Sequence, residues 1–152
     1  MKRAEKAREL FIEGYTCSQA VAMAFCDLTK VSLDEMKKIS LPLGGGLGRL
    51  RLTCGAVSAM ALIIGSVFSS DENTDENKIK LYGIIQLLVE RFKKEKKTII
   101  CEELLNNAAV EVEVGGTPEE RNSGYYKKRP CAQIVYLAGK VLEEYLEEQH
   151  II

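Results

Sequence analysis

The chain contains a single histidine, and no two of its cysteines are spaced as Cys-x-x-Cys. Because His150 lies almost at the end of the chain, we expect no Cys–His nucleophile pair of the protease type. Without Cys-x-x-Cys or Cys-x-x-His, the signatures of zinc ribbons, thioredoxin-like motifs and haem attachment are also missing. Any metal or disulfide site must therefore be assembled from distant segments.

The chain also lacks an excess of charge of either sign, since 21 basic and 22 acidic residues give a formal net charge of -1. No overall field favours nucleic acid, so nucleic-acid binding is not expected. The longest apolar run, Gly55 to Phe68, is shorter than the ~20 residues that a bilayer crossing needs. The first residues lack the apolar core of a signal peptide. We therefore expect no membrane span and a cytoplasmic protein.

Apolar residues recur at helical spacing along most of the chain, and the segment from Gly55 to Phe68 is apolar on all sides. A helix of that kind is typical of the buried centre of a bundle. With 152 residues, 46% of them hydrophobic, the chain suits one core of ordinary size. We predict a single all-helical domain over residues 1–152, an all-α bundle of about six to seven helices around a central helix at residues ~54–68.

Three segments are less sharply defined by the sequence pattern. The second helix is expected to begin at Cys17, after a capping box formed by Thr16 and Gln19, and to run to about Thr29. A short helical turn is expected at residues 117–120. Residues 110–114 alternate between apolar and acidic, which fits either a strand or an extended loop.

Four of the five cysteines lie at the predicted starts of four different helices: Cys17, Cys54, Cys101 and Cys131. A helix N-terminus presents unpaired N–H groups and partial positive charge, which favour the thiolate that attacks disulfides and binds soft metals. A free cysteine can also be a small apolar core residue, but that role gives no preference for first turns. Cys26 falls on the face of its helix opposite Cys17, so we expect it to be an ordinary semi-buried residue.

The glycine-rich segment Gly44 to Gly48 matches neither the dinucleotide pattern nor the P-loop pattern. Its backbone N–H groups, followed by Arg49 and Arg51, could cradle an anion or stabilise a thiolate. A tight crossing under another helix is the simpler structural interpretation. The sequence does not decide between these roles.

The order of motifs carries a family resemblance. Gly14-Tyr15-Thr16-Cys17-Ser18-Gln19-Ala20, the glycine-rich loop, Cys54-Gly55-Ala56, Cys101-Glu102-Glu103-Leu104-Leu105 and finally Cys131 follow one another along the chain. This order resembles the C_GCAxxG_C_C family of redox-active proteins. One departure is visible, because Ala59 replaces the last glycine of the family's Cys-Gly-Ala-x-x-Gly. The resemblance implies thiol redox activity without specifying a substrate.

Two functions from different classes follow from these residues. The first is a thiol–disulfide oxidoreductase or electron carrier, with Cys54 as the attacking thiolate, because glycines and arginines precede it, and Cys17 as the resolving thiol. Its partner would be a redox protein or a small thiol. The second is a protein in which Cys17, Cys54, Cys101 and Cys131 hold a soft metal or an iron–sulfur cluster. A structural helical adaptor is the third interpretation, and the apolar helices permit a homodimer.

Overall fold

The computed structural model describes residues 1–152 and confirms the all-α fold. Its eight α-helices are α1 (Lys2–Ile12), α2 (Cys17–Ala24), α3 (Leu33–Ser40), α4 (Gly55–Phe68), α5 (Asp75–Lys96), α6 (Cys101–Asn107), α7 (Ser123–Lys128) and α8 (Cys131–Glu148). Short 3₁₀ helices, Cys26–Leu28 and Leu41–Leu43, follow α2 and α3. The β-type pairing is limited to one isolated antiparallel bridge. None of the helices has both the length and the apolar character needed to cross a bilayer.

The helix count exceeds the expected six to seven because α7 lies where no helix was predicted. The helical turn expected at residues 117–120 is absent, so that prediction is wrong. Helix α7 begins later, and its cap is Asn122, whose side-chain oxygen accepts the N–H of Tyr125 at 3.0 Å. Residues 110–114 form an extended loop without strand pairing. Asparagine and threonine are both among the preferred N-cap residues, so the presence of a capping residue alone did not distinguish the two positions.

Helix α2 is shorter than predicted, because it ends at Ala24 rather than near Thr29. The hydroxyl of Thr29 donates to the carbonyl of Cys26 at 2.7 Å, and such local side-chain bonds offer the backbone an alternative to a continuing helix. Every residue of α2 after Cys17 is buried. This helix therefore runs through the core and carries Cys17 at its accessible end.

The helix predicted at residues ~54–68 is confirmed as α4, whose face towards the core is formed by small and branched apolar residues. The centre of the core is formed by α4 together with α2 and α8. Of these three helices, α8 contributes the largest number of buried residues. Ala59 of α4 is fully buried. The core therefore accepts a side chain at the position where the family pattern has glycine.

The first and last helices pack very closely against each other. The carboxylate of Glu143 in α8 accepts the backbone N–H groups of Arg3 and Ala4 at 3.2 and 3.1 Å, and thereby caps the start of α1. A methyl group placed on Gly139 of α8 would lie only 2.8 Å from the Cα of Ala4. Glycine at position 139 thus sets the distance between the two helices.

We predict that Gly139→Ala lowers the free energy of unfolding by about 1–3 kcal/mol, because the backbone of α1 must move away. The matched control is Gly83→Ala in α5, where a methyl group would meet no atom within 4 Å. That change should raise stability by about 0.5–1 kcal/mol through the higher helix propensity of alanine. Urea denaturation followed by circular dichroism measures both. Equal effects of the two substitutions would contradict the close packing of α1 on α8.

Candidate functional site

A short backbone ladder brings two of the site cysteines together. It surrounds the isolated antiparallel bridge that precedes α4 and α6. The N–H of Cys54 donates to the carbonyl of Ile99 at 2.7 Å, and the N–H of Cys101 donates to the carbonyl of Leu52 at 2.6 Å. Because α4 starts directly after Cys54 and α6 starts at Cys101, the ladder holds the N-terminal ends of these helices side by side.

Cys17 is positioned by the start of α2. The predicted capping box is present: the Thr16 hydroxyl accepts the N–H of Gln19 at 3.2 Å, and the Gln19 side chain accepts the N–H of Thr16 at 3.1 Å. A methyl group placed on Gly55 would lie 2.7 Å from the sulfur of Cys17. The sulfur therefore lies against the first residue of α4 and at the start of its own helix.

The glycine-rich segment is a turn of left-handed backbone. All residues from Gly45 to Arg49 have positive φ, although Leu47 and Arg49 are not glycine. Left-handed backbone costs a non-glycine residue roughly 1–2 kcal/mol, whereas glycine adopts it readily. A methyl group on Gly46 would lie 2.7 Å from the Cβ of Cys101. The segment therefore passes tightly against the start of α6. This agrees with the simpler interpretation of these glycines, a tight crossing under another helix.

All four predicted site cysteines line one cavity of about 320 Å³. Cys17, Cys54, Cys101 and Cys131 reach it from the starts of α2, α4, α6 and α8. Cys26 is not part of its wall, and its thiol instead donates to the carbonyl of Val31 at 3.2 Å. All five cysteines are free thiols. The cavity wall thus contains four free thiols.

The pKa values of Cys17 and Cys54 are shifted in opposite directions. The Cys54 thiol hydrogen-bonds to the sulfur of Cys17 and lowers its pKa to about 6. Burial acts against this, whereas the backbone N–H groups of Gly45 and Ser18 and the charge of Arg121 lower the pKa further. The Gly45 contact shows that the glycine-rich turn also supports a thiolate. The same hydrogen bond, together with burial, raises the pKa of Cys54 well above its usual range.

The other two thiols are held in their neutral form by burial. Burial raises the pKa of Cys131 to about 12, and the nearby sulfur of Cys17 acts in the same direction. Burial also raises the pKa of Cys101, and the guanidinium of Arg51 offsets this only in part. A helix start alone therefore does not ensure a low thiol pKa, because desolvation opposes it.

This order differs from the expectation that Cys54 has the lowered pKa. That expectation relied on Arg49 and Arg51, which precede Cys54 in sequence. In the structure, however, Nη1 of Arg51 lies 3.7 Å from the sulfur of Cys101, and Nη1 of Arg49 donates to the carbonyl of Gly115. The left-handed turn directs both guanidinium groups away from Cys54. The charge that acts on Cys54 is that of the Cys17 sulfur, which raises its pKa.

Comparison with protein-family models identifies a family for this chain. A sequence model of the family described as "Putative redox-active protein (C_GCAxxG_C_C)" matches residues 15–145. The chain belongs to the C_GCAxxG_C_C family. The matched stretch includes all four cysteines of the cavity. Neither the curated proteins nor the solved structures yield a match.

The metal interpretation requires thiolates gathered around one point. In this C_GCAxxG_C_C protein, no group of three or more cysteine, histidine or acidic side chains is placed to hold a metal ion. A four-coordinate zinc site or a four-cysteine iron–sulfur cluster needs such a group. The donor set as arranged does not fit either of them.

Three further residues of the cavity wall were not singled out from the sequence. Arg121, Arg129 and Tyr125 come from the loop and the short helix before α8. The guanidinium of Arg129 lies 4.7 Å from the centre of the Tyr125 ring, and that of Arg121 lies 5.4 Å from it. No periodic pattern marks these residues in the sequence. Their only signal is a concentration of basic residues shortly before Cys131.

We predict that Cys17 is alkylated first as pH rises, with a midpoint near its pKa of about 6, because the thiolate is the reactive form. Cys54→Ala should move this midpoint upward, since it removes the hydrogen bond that contributes most to the lowered pKa. Cys26→Ala is the control and should leave the midpoint unchanged. Iodoacetamide labelling across a pH series, with peptide mass spectrometry, reports each site. Earlier labelling of Cys54 would contradict the assignment.

Proposed function

We propose that the protein carries out thiol–disulfide exchange, with Cys17 as the attacking thiolate and Cys54 as the resolving thiol. The observation that supports this most strongly is the lowered pKa of Cys17 beside the protonated thiol of Cys54. A thiolate is the nucleophile of disulfide exchange, and a pKa of about 6 leaves Cys17 largely ionised at neutral pH. The redox-active description of the family supports the same chemistry.

The exposure of the two residues supports the same order of events. Cys17 is half-buried, whereas Cys54 is 5% exposed. An incoming disulfide can therefore approach Cys17, while Cys54 is shielded until an intermediate has formed on its neighbour. A buried thiol adjacent to the attacker is well placed to resolve that intermediate.

In the first step, the Cys17 thiolate forms a bond to one sulfur of a substrate disulfide. The substrate S–S bond breaks, and its other sulfur leaves as a thiolate that takes up the proton of Cys54. The Cys54 thiolate then attacks the sulfur of Cys17 and displaces the second substrate sulfur, which is protonated by water. The substrate disulfide gains two electrons and two protons, and the protein gains a Cys17–Cys54 disulfide.

Cys101 and Cys131 have a different part in this proposal. Their raised pKa values keep both thiols protonated at neutral pH, so neither competes as a nucleophile. Their neutral, polarizable sulfur atoms form part of the wall of the cavity in which Cys17 reacts. The proposal places the protein among thiol–disulfide oxidoreductases.

We predict that the reduced protein exchanges with a small symmetric disulfide faster than a free thiol does, and that Cys17→Ser abolishes this reaction. Cys54→Ser should instead accumulate a mixed disulfide on Cys17, because the resolving sulfur is missing. Cys26→Ser is the matched control, since that residue lies outside the cavity. Intact-mass and peptide mass spectrometry locate the adduct. A mixed disulfide that forms on Cys101 or Cys131 instead would falsify the assignment of roles.

A further inference from the structure

The ion pairs of the protein single out two arginines. Most arginines pair with a carboxylate, namely Arg3, Arg8, Arg49, Arg91 and Arg129. The remaining two, Arg51 and Arg121, have no carboxylate partner, and both line the four-thiol cavity. Unpaired guanidinium charge is therefore concentrated in the wall of this cavity.

Arg51 is the more deeply buried of the two. It is 5% exposed, and its Nε donates to the carbonyl of Glu113 at 2.9 Å. Its Nη1 lies 3.7 Å from the sulfur of Cys101, a thiol that stays protonated at neutral pH. A buried charge without a counterion is costly. The guanidinium thus has hydrogen-bonding capacity and charge for a further anionic partner.

Arg121 is held in the cavity wall by contacts with Phe11 and Tyr15. Its Nη1 donates to the carbonyls of Phe11 and Tyr15 at 3.0 and 2.7 Å, and its guanidinium lies 4.4 Å from the centre of the Phe11 ring. These partners are neutral, and the positive charge of Arg121 acts on the sulfur of Cys17. A planar, fixed guanidinium is well suited to bind a carboxylate through two parallel hydrogen bonds.

The cavity wall contains no free carboxylate that could fill this role. Its one acidic residue, Glu119, is paired with Arg129 at 2.6 Å. The volume of about 320 Å³ is at the lower end of the range for small-molecule pockets. A recessed space of this size admits a small disulfide more readily than a disulfide embedded in a folded protein.

We propose that the cavity binds a small organic disulfide carrying carboxylate groups, with Arg51 and Arg121 as the residues that recognise those carboxylates. The inference rests on the proposed thiol–disulfide exchange and names its substrate class. Binding of the carboxylates places the substrate S–S bond against the sulfur of Cys17. The reaction then follows the exchange described above, with two carboxylate-bearing thiols released for each Cys17–Cys54 disulfide formed.

The test compares two disulfides of the same shape, dithiodiglycolate and its uncharged diamide. Each second-order rate constant with the reduced protein is divided by that of the same disulfide with a free small thiol, which removes intrinsic differences in reactivity. We expect this normalised rate to be at least about tenfold higher for the dianion, because charge-assisted hydrogen bonds are the stronger ones. The preference should shrink as salt concentration rises.

Arg51→Gln should remove most of the preference for the dianion, measured as the ratio of its normalised rate to that of the diamide. Arg51→Lys, which keeps the charge, should retain part of it. Arg91→Gln is the control, because Arg91 pairs with Glu148 at the surface, away from the cavity. Adipate is the analogue of dithiodiglycolate in which a methylene group replaces each sulfur. It should protect Cys17 from alkylation in the unmodified protein.

The outcomes separate the two proposals. Equal normalised rates for the dianion and the diamide, both faster than the free thiol, would overturn the substrate class and leave thiol–disulfide exchange standing. No acceleration with either disulfide would overturn both. A dianion preference that Arg51→Gln leaves intact, with no protection by adipate, would overturn the role of these arginines.

Discussion

The contact between the sulfur of Cys17 and the Cα of Gly55 is the constraint on which the rest of the site depends. It requires glycine at the start of α4, because any side chain there would overlap the sulfur and the carbonyl of Leu43. The contact places one sulfur at the N-terminal ends of α2 and α4 together. Since Cys54 is the cap residue of α4, the same contact brings Cys17 and Cys54 together.

The donors available to each sulfur, set against desolvation, decide which of four similarly placed thiols becomes the thiolate. Each of them lies at a helix start and lines the same cavity, yet only the pKa of Cys17 is lowered. Cys17 receives hydrogen bonds from the Cys54 thiol and from two backbone N–H groups. The other sulfurs have fewer or weaker donors against a similar burial. The helix dipole is a modest effect of about 0.3–1 kcal/mol, which burial readily exceeds.

The left-handed turn from Gly45 to Arg49 carries strain that the surrounding contacts must offset. Its backbone is fixed by hydrogen bonds across the turn, including those from Arg51 N–H to Gly45 and from Leu52 N–H to Gly46 at 3.0 and 2.8 Å. The turn directs a backbone N–H at the Cys17 sulfur and two arginine side chains towards the 113–115 loop. Strain of this kind persists where surrounding structure holds it, often at functional sites.

The sequence by itself determined the all-α class, the position of α4, the capping box before Cys17 and the four cysteines placed at helix starts. These features are local, since they follow from apolar periodicity, cap residues and spacing along the chain. The tertiary structure alone decided which thiol is ionised and where the arginines point. Hydrogen bonds between Cys17 and Cys54, burial of each sulfur and the direction of the left-handed turn involve residues far apart in sequence. The balance between hydrogen bonding and burial at each sulfur is therefore set only when the helices pack together.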